Sequence, residues 1–148
     1  MNISTHSYWP KKIVMGPGAA MKIAEEAKRY AGNKVIFFTD KGLVNLQKTK
    51  DVIQCLENSG YAVDVYCDLE ANPTDNTVHK AADYMKETSP DIMVCYGGGS
   101  AIDTGKAANV VSTHGGVVHE YDDLSGGVEK IQNKLLPCIA VATTAGTG

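Results

Sequence analysis

Ile92-Met93-Val94-Cys95-Tyr96-Gly97-Gly98-Gly99-Ser100-Ala101-Ile102-Asp103 is the stretch on which the fold turns. An apolar, strand-like run meets three glycines and a serine, and a segment of helical period follows from Ala101 to Ser112. Strand, glycine turn and helix in that order suit a phosphate. The glycines permit a tight turn and close backbone approach, while the first helical turn offers unpaired N–H groups at the positive end of the helix dipole. Gly97, Gly98, Gly99 and Ser100 could therefore cradle a pyrophosphate, with a plain β–α turn as the lesser alternative. Their surroundings have to decide.

Outward from this stretch, β-branched runs alternate with helical periods, the mark of β–α–β units closing a parallel sheet. Upstream, the pattern predicts a short strand at Ile13-Val14-Met15, a break at Gly16-Pro17-Gly18, and a helix carrying Ala20, Ile23, Ala24, Ala27 and Ala31. Val35-Ile36-Phe37-Phe38 reads as a buried strand ended by Asp40-Lys41-Gly42, and Val52, Ile53 and Leu56 mark a helix that stops near Ser59-Gly60. Ala62 to Tyr66 is a third strand. Asn72-Pro73-Thr74-Asp75 turns into a helix whose Val78, Ala81, Ala82 and Met85 share a face, with Ser89-Pro90 ending it. Past the glycine turn, the small residues Ala101, Gly105 and Ala108 predict a helix packed close to the sheet. Residues 113–133 read as a polar surface connection with a short helix near Tyr121 to Leu124, and Pro137 to Val141 as another strand. The expected fold class is α/β: a Rossmann-like parallel sheet flanked by helices, forming one domain over residues 1–148.

Composition excludes several classes. At 148 residues, 43% hydrophobic and 21% charged, the chain has the makeup of a globular domain. A net charge of -3 with scattered lysines argues against nucleic acid or an anionic membrane as partner. Cys55, Cys67, Cys95 and Cys138 form no C-x-x-C pair and read as reduced thiols. The first ten residues lack a signal-peptide pattern, and the expected location is the cytoplasm.

The candidate chemistry gathers at strand ends. Asp40 closes the Val35–Thr39 run, where a carboxylate can accept from both ribose hydroxyls of an adenine nucleotide and repel a 2′-phosphate; a helix cap or turn is the competing role. The G-x-G-x-x-G fingerprint is absent, since Gly16-Pro17-Gly18 lacks its third glycine. Thr143, Thr144 and Thr147 bring hydroxyls to the end of the last strand, as ligands or as an ordinary polar turn. Asp103 and Lys106 fall in the first two turns of the helix after Ser100, with capping and solvated surface as their competing roles. His6, His79, His114 and His119 show neither helical H-x-x-x-H spacing nor carboxylate clustering, so no metal ligand is assigned. They are expected at the surface, His114 and His119 on a loop.

Taken together, Val14-Met15-Gly16-Pro17-Gly18, Phe38-Thr39-Asp40-Lys41-Gly42-Leu43, Asn72-Pro73-Thr74, Gly97-Gly98-Gly99-Ser100-Ala101-Ile102-Asp103 with Lys106, and Thr143-Thr144-Ala145-Gly146-Thr147-Gly148 resemble the N-terminal half of iron-containing (group III) alcohol dehydrogenases. These are the relatives of 1,3-propanediol, lactaldehyde and butanol dehydrogenases, and the resemblance covers nearly the whole chain. It implies that Asp40 lies near the adenosine ribose, favouring NAD over NADP. It places Gly98, Gly99 and Ser100 at the pyrophosphate, with Asn72 and Thr143 to Thr147 lining the cofactor. Ala142 stands where many members carry proline.

The same resemblance implies an iron held by one Asp and three His on a helical C-terminal domain that would follow Gly148. None of those ligands is in this sequence, which ends inside the Thr143–Gly148 motif. A fragment of a longer enzyme, active on a small primary alcohol or diol and its aldehyde and assembling as a homo-oligomer, is therefore the expectation. Poorer solubility than the composition suggests would follow from apolar surface left bare. A zinc enzyme of the glycerol dehydrogenase branch and a stand-alone nucleotide-binding module that performs no chemistry are the alternatives. Without the metal, hydride transfer lacks its Lewis acid, so the chain alone is not expected to turn over alcohol.

Overall fold

The computed structural model describes residues 10–145. Four parallel strands form one sheet: β1 Lys34–Phe38, β2 Ala62–Tyr66, β3 Ile92–Gly97 and β4 Cys138–Ala142, in the order β2-β1-β3-β4. Phe38 pairs with Tyr66 and Cys95, and Gly97 with Ala142, so the strand ends lie level along one edge. The chain moves from β1 outward to β2, then crosses back over β1 to β3. That reversal leaves a crevice between the C-terminal ends of β1 and β3, the place where open parallel sheets take ligands.

The helices are α1 Ile23–Ala27, α2 Gln47–Asn58, α3 Asp75–Thr88 and α4 Gly99–His114. Beyond the exposed Lys34 that opens β1, β1 and β3 are buried and carry no charged residue because both faces are covered. One face packs Val35, Phe37, Ile92 and Val94 against Ile23, Ala27, Val52 and Leu56. The other packs Ile36, Phe38, Met93 and Cys95 against Val78, Ala82, Met85, Ala108 and Val111. Phe37 stacks on Tyr96 at 5.6 Å between ring centres, and each such fully buried apolar side chain contributes about 1.5–3 kcal/mol.

Thr74 caps α3, its hydroxyl accepting from the Thr77 N–H, and the left-handed Ser89 ends it ahead of Pro90, as the sequence pattern anticipates. Two expectations fail near the start of the chain. Ile13-Val14-Met15 pairs with no strand and leaves Ile13 and Met15 exposed. The alanine-rich helix shortens to a 3₁₀ turn at Ala19–Lys22 followed by α1, since nothing beyond Ala27 is buried and the chain tightens through Arg29 N–H to Glu26 O and Tyr30 N–H to Ala27 O. The connection after α4 holds three 3₁₀ turns, Val118–Tyr121, Asp123–Ser125 and Gly127–Lys130, in place of one short helix. No helix among the described residues is long and apolar enough to cross a membrane.

At the opposite edge of the sheet, Asp91 fastens the start of β1. Its Oδ2 accepts from the Asn33 and Lys34 N–H groups at 2.9 and 3.0 Å, and these bonds hold its carboxyl below the usual carboxylate range. A carboxyl lowered in the folded state contributes stability that is complete above its ordinary value near 3.8 and drains away as pH falls through the lowered one. Asp91→Ala is therefore expected to flatten the stability profile below pH 4, read from urea unfolding midpoints across pH.

Candidate functional site

The sheet's crevice gathers three of the sequence-identified segments. Buried Thr39 follows β1, and half-buried Asp40 comes next. One carboxylate oxygen of Asp40 is committed locally: Oδ1 accepts from the Gly42 and Leu43 N–H groups at 2.8 and 2.9 Å. The turn-forming role is thus real, and it leaves Oδ2 available. That second oxygen faces β3, 3.9 Å from where a Cβ on Gly97 would stand. Asp40 and Gly97, 57 positions apart in the sequence, are neighbours because β1 and β3 are.

Gly97 ends β3, Gly98 caps α4 in extended conformation, and Gly99 and Ser100 already belong to the first helical turn. The phosphate-type turn is therefore tighter than four loop residues, and the N–H groups of Gly99 and Ser100 have no acceptor within their own helix. Space is short at Gly97, which also sits at φ 159°, and at Gly98, but not at Gly99. A Cβ on Gly97 would sit 2.8 Å from the Ala101 Cβ, and one on Gly98 would sit 3.3 Å from Thr144 Oγ1. The end of β4 closes over the turn through Thr143, whose N–H donates to Gly97 O at 2.9 Å. Asp103 lies on the exposed side of α4, its Oδ2 3.8 Å from the corresponding Cβ position of Gly99.

Bare backbone N–H groups at a helix start, an uncommitted carboxylate oxygen across from them and threonine hydroxyls alongside suit an anionic group linked to a diol-bearing sugar. The remaining candidates stand elsewhere. Asn72 is exposed in the loop after β2 at φ 138°, a conformation L side chains seldom adopt, and no hydrogen bond among the described residues joins it to the glycine turn. Thr147 lies outside the described residues. Lys106 is exposed, and with Asp103 it lines a cleft of about 470 Å³ that continues to Asp75, His119 and Tyr121.

Sequence reading misplaces His114 and overlooks Lys41. His114 is the last residue of α4, half-buried, its Nδ1 3.2 Å from Val110 O and its Nε2 accepting from the Asn133 N–H. His119 is exposed and pairs with Asp75. Lys41 reaches from the Asp40 loop to Asp68, a contact across two strand ends that no local pattern encodes. The four cysteines are free thiols; Cys95 and Cys138 approach to 4.0 Å, and hydrogen bonding to Cys138 together with burial pushes the Cys95 thiol far up. Among the described residues no three His, Cys, Asp or Glu side chains come together as a metal site, so an iron finds no donor set there.

Known proteins share this sequence pattern and this fold. The sulfoacetaldehyde reductase of Bilophila wadsworthia is 35% identical over 141 residues, a match spanning 95% of this chain and 35% of the reductase. The crystal structure of an NADH-dependent butanol dehydrogenase from Thermotoga maritima superposes with a TM-score of 0.82 at 28% identity, over 99% of this chain and 35% of that one. A sulfoacetaldehyde reductase from Bifidobacterium kashiwanohense, solved in complex with NAD+, gives a TM-score of 0.70 at 27% identity, over 96% of this chain and 38% of that one. The chain thus spans about a third of the length of these relatives. Residues 10–148 match the sequence profile of iron-containing alcohol dehydrogenases, and the chain belongs to that family.

Proposed function

We propose that this chain is the NAD-binding domain of an iron-dependent alcohol dehydrogenase that interconverts a small primary alcohol or diol and its aldehyde. The observation that carries the reading is the meeting of Asp40 Oδ2 with the Gly97–Ser100 turn at the sheet's reversal point. In this reading the N–H groups of Gly99 and Ser100 bind the pyrophosphate, Asp40 Oδ2 accepts from the ribose hydroxyls, and Thr144 flanks the turn. Asp103, one helical turn further on, would serve the dinucleotide's other half in the same reading. Thr143 adjoins the turn through its bond to Gly97 O, while Asn72 and Thr147 are carried to the cofactor by the family resemblance alone.

The nicotinamide supplies the hydride acceptor when bound. The chain's own residues hold it in register, which is how binding lowers the entropic part of the barrier. The described residues provide no site for a metal. A butanol dehydrogenase described as NADH-dependent and a sulfoacetaldehyde reductase solved in complex with NAD+ support the choice of cofactor.

Titrating the chain with NADH, NADPH and ADP-ribose tests the reading. NADH and ADP-ribose are expected to bind alike, since they share the adenosine and pyrophosphate, and NADPH more weakly. Asp40→Asn removes the charge that accepts from the ribose, and a hydrogen bond to a charged group contributes about 1.5–3 kcal/mol. NADH affinity should therefore fall about tenfold or more, while the preference over NADPH narrows. Equal binding of both dinucleotides by the unaltered chain would remove Asp40 from the ribose.

A further inference from the structure

Lys41 follows Asp40 directly, so its side chain starts beside the carboxylate whose uncommitted oxygen faces the glycine turn. An ammonium at that position would attract a phosphate carried on the ribose. Instead its Nζ lies 2.6 Å from Oδ1 of Asp68, in the loop that follows β2. The strand order β2-β1-β3 gives the two neighbours opposite directions: Asp40 toward β3, Lys41 toward β2.

Folding stability does not account for this pair. The two side chains are 71% and 61% exposed, and ion pairs so open to water contribute little. What the contact does is electrostatic and local. It holds the Lys41 ammonium in its charged form and the Asp68 carboxyl below the usual carboxylate range. Glu70, in the same loop, adds a second carboxylate acting on Lys41, and Lys80 of α3 is a further ammonium acting on Asp68.

We propose that Asp68 is a cofactor-specificity residue: by drawing Lys41 away from the Asp40 side and adding its own carboxylate, it deprives a ribose 2′-phosphate of a cation. The site then selects a dinucleotide whose 2′-hydroxyl is free. This rests on the assignment of Asp40 to the ribose and extends it to a residue on a different strand end.

Four forms of the 148-residue chain test the idea: unaltered, Asp68→Asn, Asp68→Asn combined with Lys41→Met, and Asp40→Asn. Each is titrated with NADH and NADPH at low ionic strength, with circular dichroism confirming the fold. Asp68→Asn is expected to improve NADPH binding relative to NADH by roughly threefold to fivefold, the range of exposed charge interactions, and added salt should erode the gain. Lys41→Met in that background should abolish most of it. A ratio unchanged by Asp68→Asn but shifted by Asp40→Asn overturns the role of Asp68 and leaves Asp40 at the ribose. A ratio unchanged by either overturns both assignments, as does failure of the unaltered chain to bind either dinucleotide. A gain that survives Lys41→Met overturns the capture of Lys41.

Discussion

Gly105→Ala is expected to destabilise the chain by about 2–3 kcal/mol, against the ordinary rule that alanine stabilises a helix by about 1 kcal/mol relative to glycine. Residue 105 is buried where α4 meets the sheet, and the added Cβ would stand 2.4 Å from Cys95 Sγ, 3.4 Å from Met93 Sδ and 3.4 Å from Phe38 Cδ2. The sulfur already touches a second neighbour, Cys138 Sγ at 4.0 Å, which any shift has to accommodate. Either α4 lifts or β3 shifts, and both loosen the layer that carries the glycine turn. Removing the sulfur should relieve the overlap, so Gly105→Ala combined with Cys95→Ala is expected to unfold in urea close to Cys95→Ala alone. A Gly105→Ala chain as stable as the unaltered one would mean that α4 moves outward without cost.

The same pair of residues illustrates what the sequence could tell. Ala101, Gly105 and Ala108 announce a helix in close contact with the sheet, and all three are buried. Nothing in the order of residues says that the atom filling the space at Gly105 is Cys95 Sγ. The central strands β1 and β3 were legible because buried strands are written as apolar runs, the edge strands β2 and β4 because β-branched residues recur between turn signals, and the helices α2 and α3 because their apolar positions recur on one face. Ile13-Val14-Met15 carries the same local signal and forms no strand, since a strand needs a partner and the described chain offers it none. The site was half legible. Glycine turn, acidic strand end and threonines could each be recognised, yet each had an ordinary alternative, and for Asp40 the alternative is also true of one of its two oxygens. Their convergence depends on strand order, a property of pairing between distant segments. Lys41 and Asp68 escaped for that reason.

Gly97→Ala is expected to weaken NADH and ADP-ribose binding together, by about thirtyfold or more. A Cβ on Gly97 would press on the Ala101 Cβ at 2.8 Å, while meeting Leu43 Cδ1 at 3.7 Å and Asp40 Oδ2 at 3.9 Å in ordinary contact. Relief requires the first turn of α4 to swing away from the end of β3. That movement withdraws the Gly99 and Ser100 N–H groups from a pyrophosphate and strains the bond from the Thr143 N–H to Gly97 O. Loss of one or two hydrogen bonds to a charged oxygen, at about 1.5–3 kcal/mol each, accounts for a factor of that size. Overpacking adds about 1–3 kcal/mol of lost stability, so binding is measured well below the variant's own urea midpoint, where the chain is still folded. Equal losses for the two ligands place the effect at the groups they share, whereas a loss confined to NADH would place it at the nicotinamide end. A folded Gly97→Ala chain that binds NADH like the unaltered protein would take the glycine turn out of the cofactor site, and Asp40 with it, because the position of its free oxygen has meaning only against that turn.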